Sequence, residues 1–95
     1  MPFFGDSRVM ACDPRELERW LRELVAGEIR VLPDGFEFAV EGTRMTVQVS
    51  EHAPRRVGLI AIPMLAVLFS YPPGERDAAH AWITRFDRHT QRGGG

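Results

Sequence analysis

The longest uncharged stretch of the chain runs from Val57 to Gly74. Its eighteen residues could span a membrane as a helix, but Pro63 interrupts the stretch and Pro72-Pro73 closes it, so extended structure is favoured. Both sets of alternating residues after Pro63 are largely apolar, which predicts a strand covered on both faces. Because proline cannot donate to a sheet ladder, we expect a kink or bulge at Pro63, dividing 57–62 from 64–71.

Two segments show helical periodicity. Asp13, Pro14 and Glu16 form the pattern of an N-cap, a first helical residue and a capping box, and Gly27 is expected to end this helix in a left-handed conformation. A second helix is predicted over residues 75–91, with acidic residues in its first turn and basic residues in its last. The apolar stripes of the two helices are Leu17, Trp20, Leu21, Leu24 and Val25, and Ala79, Trp82, Ile83 and Phe86.

Between the helices, alternation of apolar and polar residues predicts strands that begin at Ile29, turn at 33–35, return over 36–41 and continue over 44–50 after Gly42. The polar residues 51–56 are expected to form a loop. Residues 7–12 can form a further short strand before the first helix.

These elements predict an α+β fold with an antiparallel sheet of four strands, or five with the N-terminal one, and two helices packed on one face. Residues 1–92 are expected to form a single domain, followed by a flexible glycine tail at 93–95. A helix-grip fold resembles this architecture, since it also ends in a long helix against an antiparallel sheet. The second face of the uncharged strand needs a loop, a helix or a second subunit to cover it.

Composition narrows the possible chemistry. The net charge is −1, and all twelve basic residues are arginine, with no lysine or asparagine in the chain. The absence of these A-rich codons is typical of a GC-rich, bacterial genome, and the absence of lysine excludes a Schiff base or a P-loop. Cys12 is the only cysteine, so an internal disulfide is excluded and a cytoplasmic location is expected. The N-terminal residues show no basic and apolar leader pattern, so we expect no leader sequence.

Candidate site residues are few. His80, Thr84, Asp87 and Arg88 share one face of the second helix, which we interpret as a solvated outer face. If the protein binds a small anionic ligand, the residues expected to bind it are Arg55, Arg56, His80 and Arg88. The spacing of the histidines predicts no metal site, and no cofactor motif is present. Near-neutral charge argues against nucleic acid as a partner.

Cys12 lies just before the first helix, where the helix dipole favours a thiolate. The alternative is a small buried apolar residue, which we prefer because the adjacent Asp13 opposes ionisation.

The C-terminal residues Gln91-Arg92-Gly93-Gly94-Gly95 resemble the tails of small sulfur carriers and ubiquitin-like modifiers, which end in Gly-Gly. The resemblance covers only these residues and implies activation at the carboxylate after Gly94 and Gly95. The order of helices and strands differs from that of those families.

Three functions therefore stay open. The first is a non-enzymatic protein that acts through protein–protein interaction or homodimerisation, suggested by a double-sided apolar strand in a small body. The second is a small-ligand-binding protein or enzyme with a pocket between sheet and helices. The third is a carrier activated at its C-terminus.

Overall fold

The computed structural model describes residues 4–91, with side chains from Gly5 onward. Five strands and two helices follow one another in this part of the chain. Their bounds are β1 Phe4–Met10, α1 Pro14–Leu24, β2 Arg30–Leu32, β3 Gly35–Val40, β4 Thr43–Val57, β5 Ile60–Tyr71 and α2 Arg76–Gln91. The α+β class and the order of elements are as predicted, including the extra N-terminal strand, which begins earlier than expected and ends at Met10.

The five strands form one antiparallel sheet in the order β1-β5-β4-β3-β2. β2 to β5 follow sequence order as a meander, and β1 pairs with β5 from Phe4 opposite Tyr71 to Met10 opposite Leu65. β5 is therefore an interior strand along the body of the sheet, which is consistent with its apolar composition.

Both helices cover the same face of the sheet. The predicted stripes are buried, apart from Leu24, which is only partly buried. The ring of Trp82 stacks on Phe86 at 5.5 Å between centroids and lies 5.1 Å from Phe38 and 6.0 Å from Phe69. These aromatic contacts join α2 to the central strands and form the middle of the core.

The capping box of α1 is confirmed, because the Glu16 amide donates to Asp13 Oδ1 at 2.9 Å and the Asp13 amide donates to Glu16 Oε1 at 3.4 Å. The prediction for Gly27 is wrong. The helix ends at Leu24 and the chain leaves it through Val25 in an extended conformation, with φ −94°. Val25 remains buried and its amide still bonds to Leu21, so no left-handed residue is needed there.

The predicted loop over 51–56 is also wrong. β4 continues through these residues to Val57, turns at Gly58 and Leu59 and returns as β5, so the turn falls inside the uncharged stretch. The expected irregularity at Pro63 is confirmed, since the register shifts between His52 and Arg55, where two residues of β4 oppose this proline. The polar composition of 51–56 therefore reflects exposure, not irregular backbone.

We call residues 53–62 the arm. It is a two-stranded ribbon that extends beyond the bulge and past the end of β1, and it contributes to the long axis of a molecule measuring 45 × 28 × 23 Å. Every residue from Glu51 to Ala61 is exposed, and none of the buried core residues lies between Val47 and Leu65. The arm is thus outside the core that the helices cover.

Candidate functional site

The four residues proposed for an anionic ligand do not share a site. Arg55 and Arg56 lie exposed on the arm, whereas His80 and Arg88 lie on α2. Arg55 pairs with Ile62, and His80 contacts Tyr71 at the other end of the same strand. Nine residues of strand separate these two points, a distance of about 30 Å. A single small anion cannot contact both pairs.

The sequence suggested that His80 lies on a solvated outer face, but in the structure it contacts the sheet. Its Nε2 atom lies 2.8 Å from Asp6 Oδ2 of β1 and 3.0 Å from the hydroxyl oxygen of Tyr71. The reason is that β1 extends the sheet at this edge and brings polar side chains under α2. Thr84 and Arg88 of the same predicted group are exposed.

Asp87 also faces β1, where it forms an ion pair with Arg8. The Arg8 guanidinium lies over the ring of Phe69, 5.1 Å from its centroid. Together with the Asp6–His80 contact, this pair attaches the edge strand to α2. We call Asp6, Arg8, His80 and Asp87 the edge clasp.

His80, Asp6 and the adjoining hydroxyl of Tyr71 are groups of the kinds that transfer protons in catalysis. Burial raises the pKa of the Tyr71 phenol above 10.0, Asp6 raises it further, and Arg76 opposes the shift. The phenol is therefore protonated at neutral pH. Four surface hollows in the described part of the chain do not include His80, Tyr71 or Asp6 in their walls. The geometry favours a structural attachment of β1 over catalysis.

Cys12 is buried, with only 2% of its surface exposed, as we preferred from the sequence. Desolvation raises the pKa of its thiol from 9.0 to about 11, and the Glu16 and Asp13 carboxylates add to the shift. The thiolate that a nucleophile requires is therefore disfavoured.

Within residues 4–91, no helix covers the face of the sheet that lies opposite α1 and α2, and we call it the open face. Alternate residues of β5 point to this face. On the arm, Val57 of β4 points to the same face, because it is the cross-strand partner of Ile60. One apolar row follows the open side of β5 from the arm into the body of the sheet, and we call it the open-face row: Ile60, Ile62, Met64, Ala66 and Leu68.

The open-face row changes character along its length. At the tip of the arm it projects into solvent, where Leu59 is fully exposed, Ile60 is 65% exposed and Val57 is 52% exposed. Over the body of the sheet, its half-buried residues lie beside small side chains. At the level of Ala66 the neighbours on the open face are Val9 and Ser50.

These small side chains leave a shallow hollow of about 650 Å³ on the open face. Its walls include Ser7 and Val9 of β1, Gln48 and Ser50 of β4, and Ala66 and Leu68 of β5. The row therefore combines an apolar projection at one end with a mostly uncharged hollow at the other.

Sequence reasoning placed the apolar segment correctly but missed the projection. The signal available was Gly58, which adopts φ +61° and lies between Val57 and the Leu59-Ile60 pair, as in a tight hairpin turn. A hairpin turn assigned to Gly58 from the sequence would have predicted an exposed apolar tip.

Two further properties complete the description. Residues 4–91 contain no group of three or more His, Cys, Asp or Glu side chains placed to hold a metal ion. Within the same range, no helix is both long and apolar enough to cross a membrane. The glycine tail, with Gly94 and Gly95, lies outside the described residues, so the carrier hypothesis stays a prediction.

No protein-family model matches this chain, and a search of curated proteins returned no match.

Proposed function

We propose that this chain is a small non-enzymatic protein that acts through protein–protein contact, and that its contact surface is the open-face row together with Val57 and Leu59 at the tip of the arm. The observation that carries this proposal is the exposed apolar arm, with Val57, Leu59 and Ile60 in solvent beyond the core. A bacterial, cytoplasmic setting is part of the proposal and is supported by the arginine-only basic residues and the single buried cysteine.

Hydrophobic energetics support this function. Full burial of one Leu, Ile or Val side chain contributes about 1.5–3 kcal/mol, so covering these three exposed residues contributes on the order of 5 kcal/mol before the cost of association. The half-buried members of the row add to this figure. A contiguous apolar strip of this kind is characteristic of an interaction surface.

The form of the arm gives a second, independent support. A two-stranded ribbon is only marginally stable by itself in water, and an exposed ribbon edge favours unwanted pairing. The arm has no neighbouring strand on either side, since β1 ends opposite Leu65 and β3 begins opposite Gln48. Contact of a partner with the apolar side of the arm would stabilise it.

The ligand-binding alternative has weaker support, because Arg55 and Arg56 are far from His80, and because Asp6, His80 and Tyr71 do not line any of the four hollows. A protein surface, in contrast, fits a flat open sheet face with an adjoining projection.

The test is site-specific photo-crosslinking in cells of the organism that encodes the protein. Ile60 is replaced by benzoylphenylalanine, and a matched variant carries the same probe at Arg19, which is exposed on the outer side of α1. We expect a discrete cross-linked species from position 60 and none from position 19, and mass spectrometry then identifies the partner. A folded Ile60 variant that yields no adduct in cells contradicts the proposal.

A further inference from the structure

We infer that the occupant of the open-face row is a second copy of this chain, packed face to face and antiparallel about a two-fold axis that passes at Met64. This inference rests on the proposed function, since it names the partner of that same surface. It assigns the hollow on the body of one copy to the arm of the other.

The spacing of the row carries the argument. Residues of β5 that lie equally far from Met64 on the open side are Ile62 and Ala66, then Ile60 and Leu68. An antiparallel two-fold arrangement places each member of such a pair against the other member in the second copy. A large side chain therefore meets the smallest residue of the row, where the hollow of about 650 Å³ lies.

A parallel arrangement uses the same surface less well. It would set arm against arm and hollow against hollow, so the exposed Ile60 side chains would meet each other while two concave regions enclosed a void. Interfaces, like protein interiors, lose stabilisation wherever packing leaves atoms without neighbours. The antiparallel arrangement fills both hollows.

The arrangement also closes on itself. A projection and a complementary hollow on different faces of one molecule produce open chains of copies. Here both features lie in one row on one face, so a single two-fold rotation satisfies both contacts and leaves neither free. Arg55, which lies on the open side beside Ile62, would be placed near the neutral Ser50 of the second copy.

The available area fits a weak dimer. The row from Ile60 to Leu68 is about 27 Å long, and with its flanking strands about 12 Å wide. This outline is roughly 320 Å² per copy, or roughly 650 Å² for the pair, which is below the roughly 1,000 Å² of a stable interface, so we expect the two copies to associate weakly and reversibly.

The test is thiol cross-linking of the full chain in solution with a bismaleimide whose reach is about 10 Å, the distance between packed sheets. Met64→Cys lies on the axis, so we expect most of this variant to become a covalent dimer. Ile60→Cys alone should give less than a tenth of that yield, because its two copies are about 27 Å apart along the strands. A mixture of Ile62→Cys and Ala66→Cys chains should form the cross-linked pair.

Three controls accompany this experiment. The wild type carries only the buried Cys12 and should not cross-link. Ala66→Arg should fill the hollow and raise the dissociation constant of the dimer at least tenfold in sedimentation. Thr84→Arg, at an exposed position of α2 on the other side of the sheet, should leave it within twofold. Circular dichroism of each variant verifies the fold.

The outcomes separate the two proposals. Equal cross-linking of Ile60→Cys and Met64→Cys overturns the antiparallel arrangement but leaves contact through the row intact. A monomeric mass of 10.8 kDa at all concentrations, with no cross-linking, overturns the second copy as occupant. If a different protein is then attached to the photo-probe at Ile60, the proposed function stands, and if nothing is attached both proposals fail.

Discussion

The arm should be removable without loss of the fold. The perturbation replaces residues 53–63 by Asn-Gly, a pair that favours a two-residue hairpin turn, and so connects His52 to Met64 through that turn. These two residues are cross-strand partners, so the new turn connects positions that already face each other. The body, with its buried core and both helices, is left unchanged in sequence.

The magnitude follows from burial. No core residue lies in the deleted segment, and every residue from Ala53 to Ala61 is exposed, so the loss of buried apolar area is close to zero. Shortening the connection from about eleven residues to two lowers the entropic cost of closing it by at most about 1.5 kcal/mol. The free energy of unfolding of the monomer should therefore stay constant or rise by up to that amount.

The assay is chemical denaturation followed by far-ultraviolet circular dichroism, at several protein concentrations. For the wild type, a tenfold rise in concentration above the dissociation constant should add about 1.4 kcal/mol of apparent stability per dimer, whereas the truncated chain should show no dependence. A truncated chain that is unfolded, or that loses more than about 3 kcal/mol at low concentration, would show that the arm belongs to the folding core.

Three further predictions concern the body of the protein. A Cβ at Gly35 would overlap the backbone carbonyl oxygen of Val47 in β4, so Gly35→Ala should lower the free energy of unfolding by more than about 3 kcal/mol in chemical denaturation. Gly27→Ala, with open space around it, should be neutral or slightly stabilising, and equal effects of the two substitutions would contradict the close packing at Gly35. Burial raises the pKa of Cys12 to about 11, above the 9.0 of the unfolded chain, so the thiol's contribution to the free energy of unfolding is fully present below pH 9 and is lost as pH rises towards 11, by at most about 3 kcal/mol. Cys12→Ala should therefore flatten the fall in stability between pH 9 and 11, and an unchanged profile would argue against burial of a neutral thiol. Asp87→Asn, which breaks the partly buried ion pair with Arg8 of β1, should lower the free energy of unfolding by about 1 kcal/mol, whereas Glu18→Gln in the exposed pair of α1 should lower it by about 0.3 kcal/mol. Thermal unfolding of both variants measures the two losses, and the reverse order would refute a role for the edge clasp.

The candidate site was only partly predictable. The apolar composition of β5 indicated an interaction surface, and alternation assigned Leu65, Val67, Phe69 and Tyr71 to one face, which the helices bury. That the arm projects from the sheet could not be inferred from polarity, because exposed paired strands and loops both select polar residues. The environment of His80 was misjudged for a related reason, since its partner Asp6 is 74 positions away in a strand whose place at the sheet edge is a long-range choice.

What the sequence determined by itself is local. The capping box at Asp13, the helical stripes with Trp20 and Trp82, and the bulge at Pro63 depend on residues within a few positions of one another, where backbone geometry and period leave few alternatives. Only the tertiary structure decided that β1 lies beside β5, that β4 and β5 continue together beyond the core, and that Ile62 and Ala66 lie in one row on an open face. These features depend on which strands pair and in which register, because the faces and edges left exposed are fixed by partners distant in sequence.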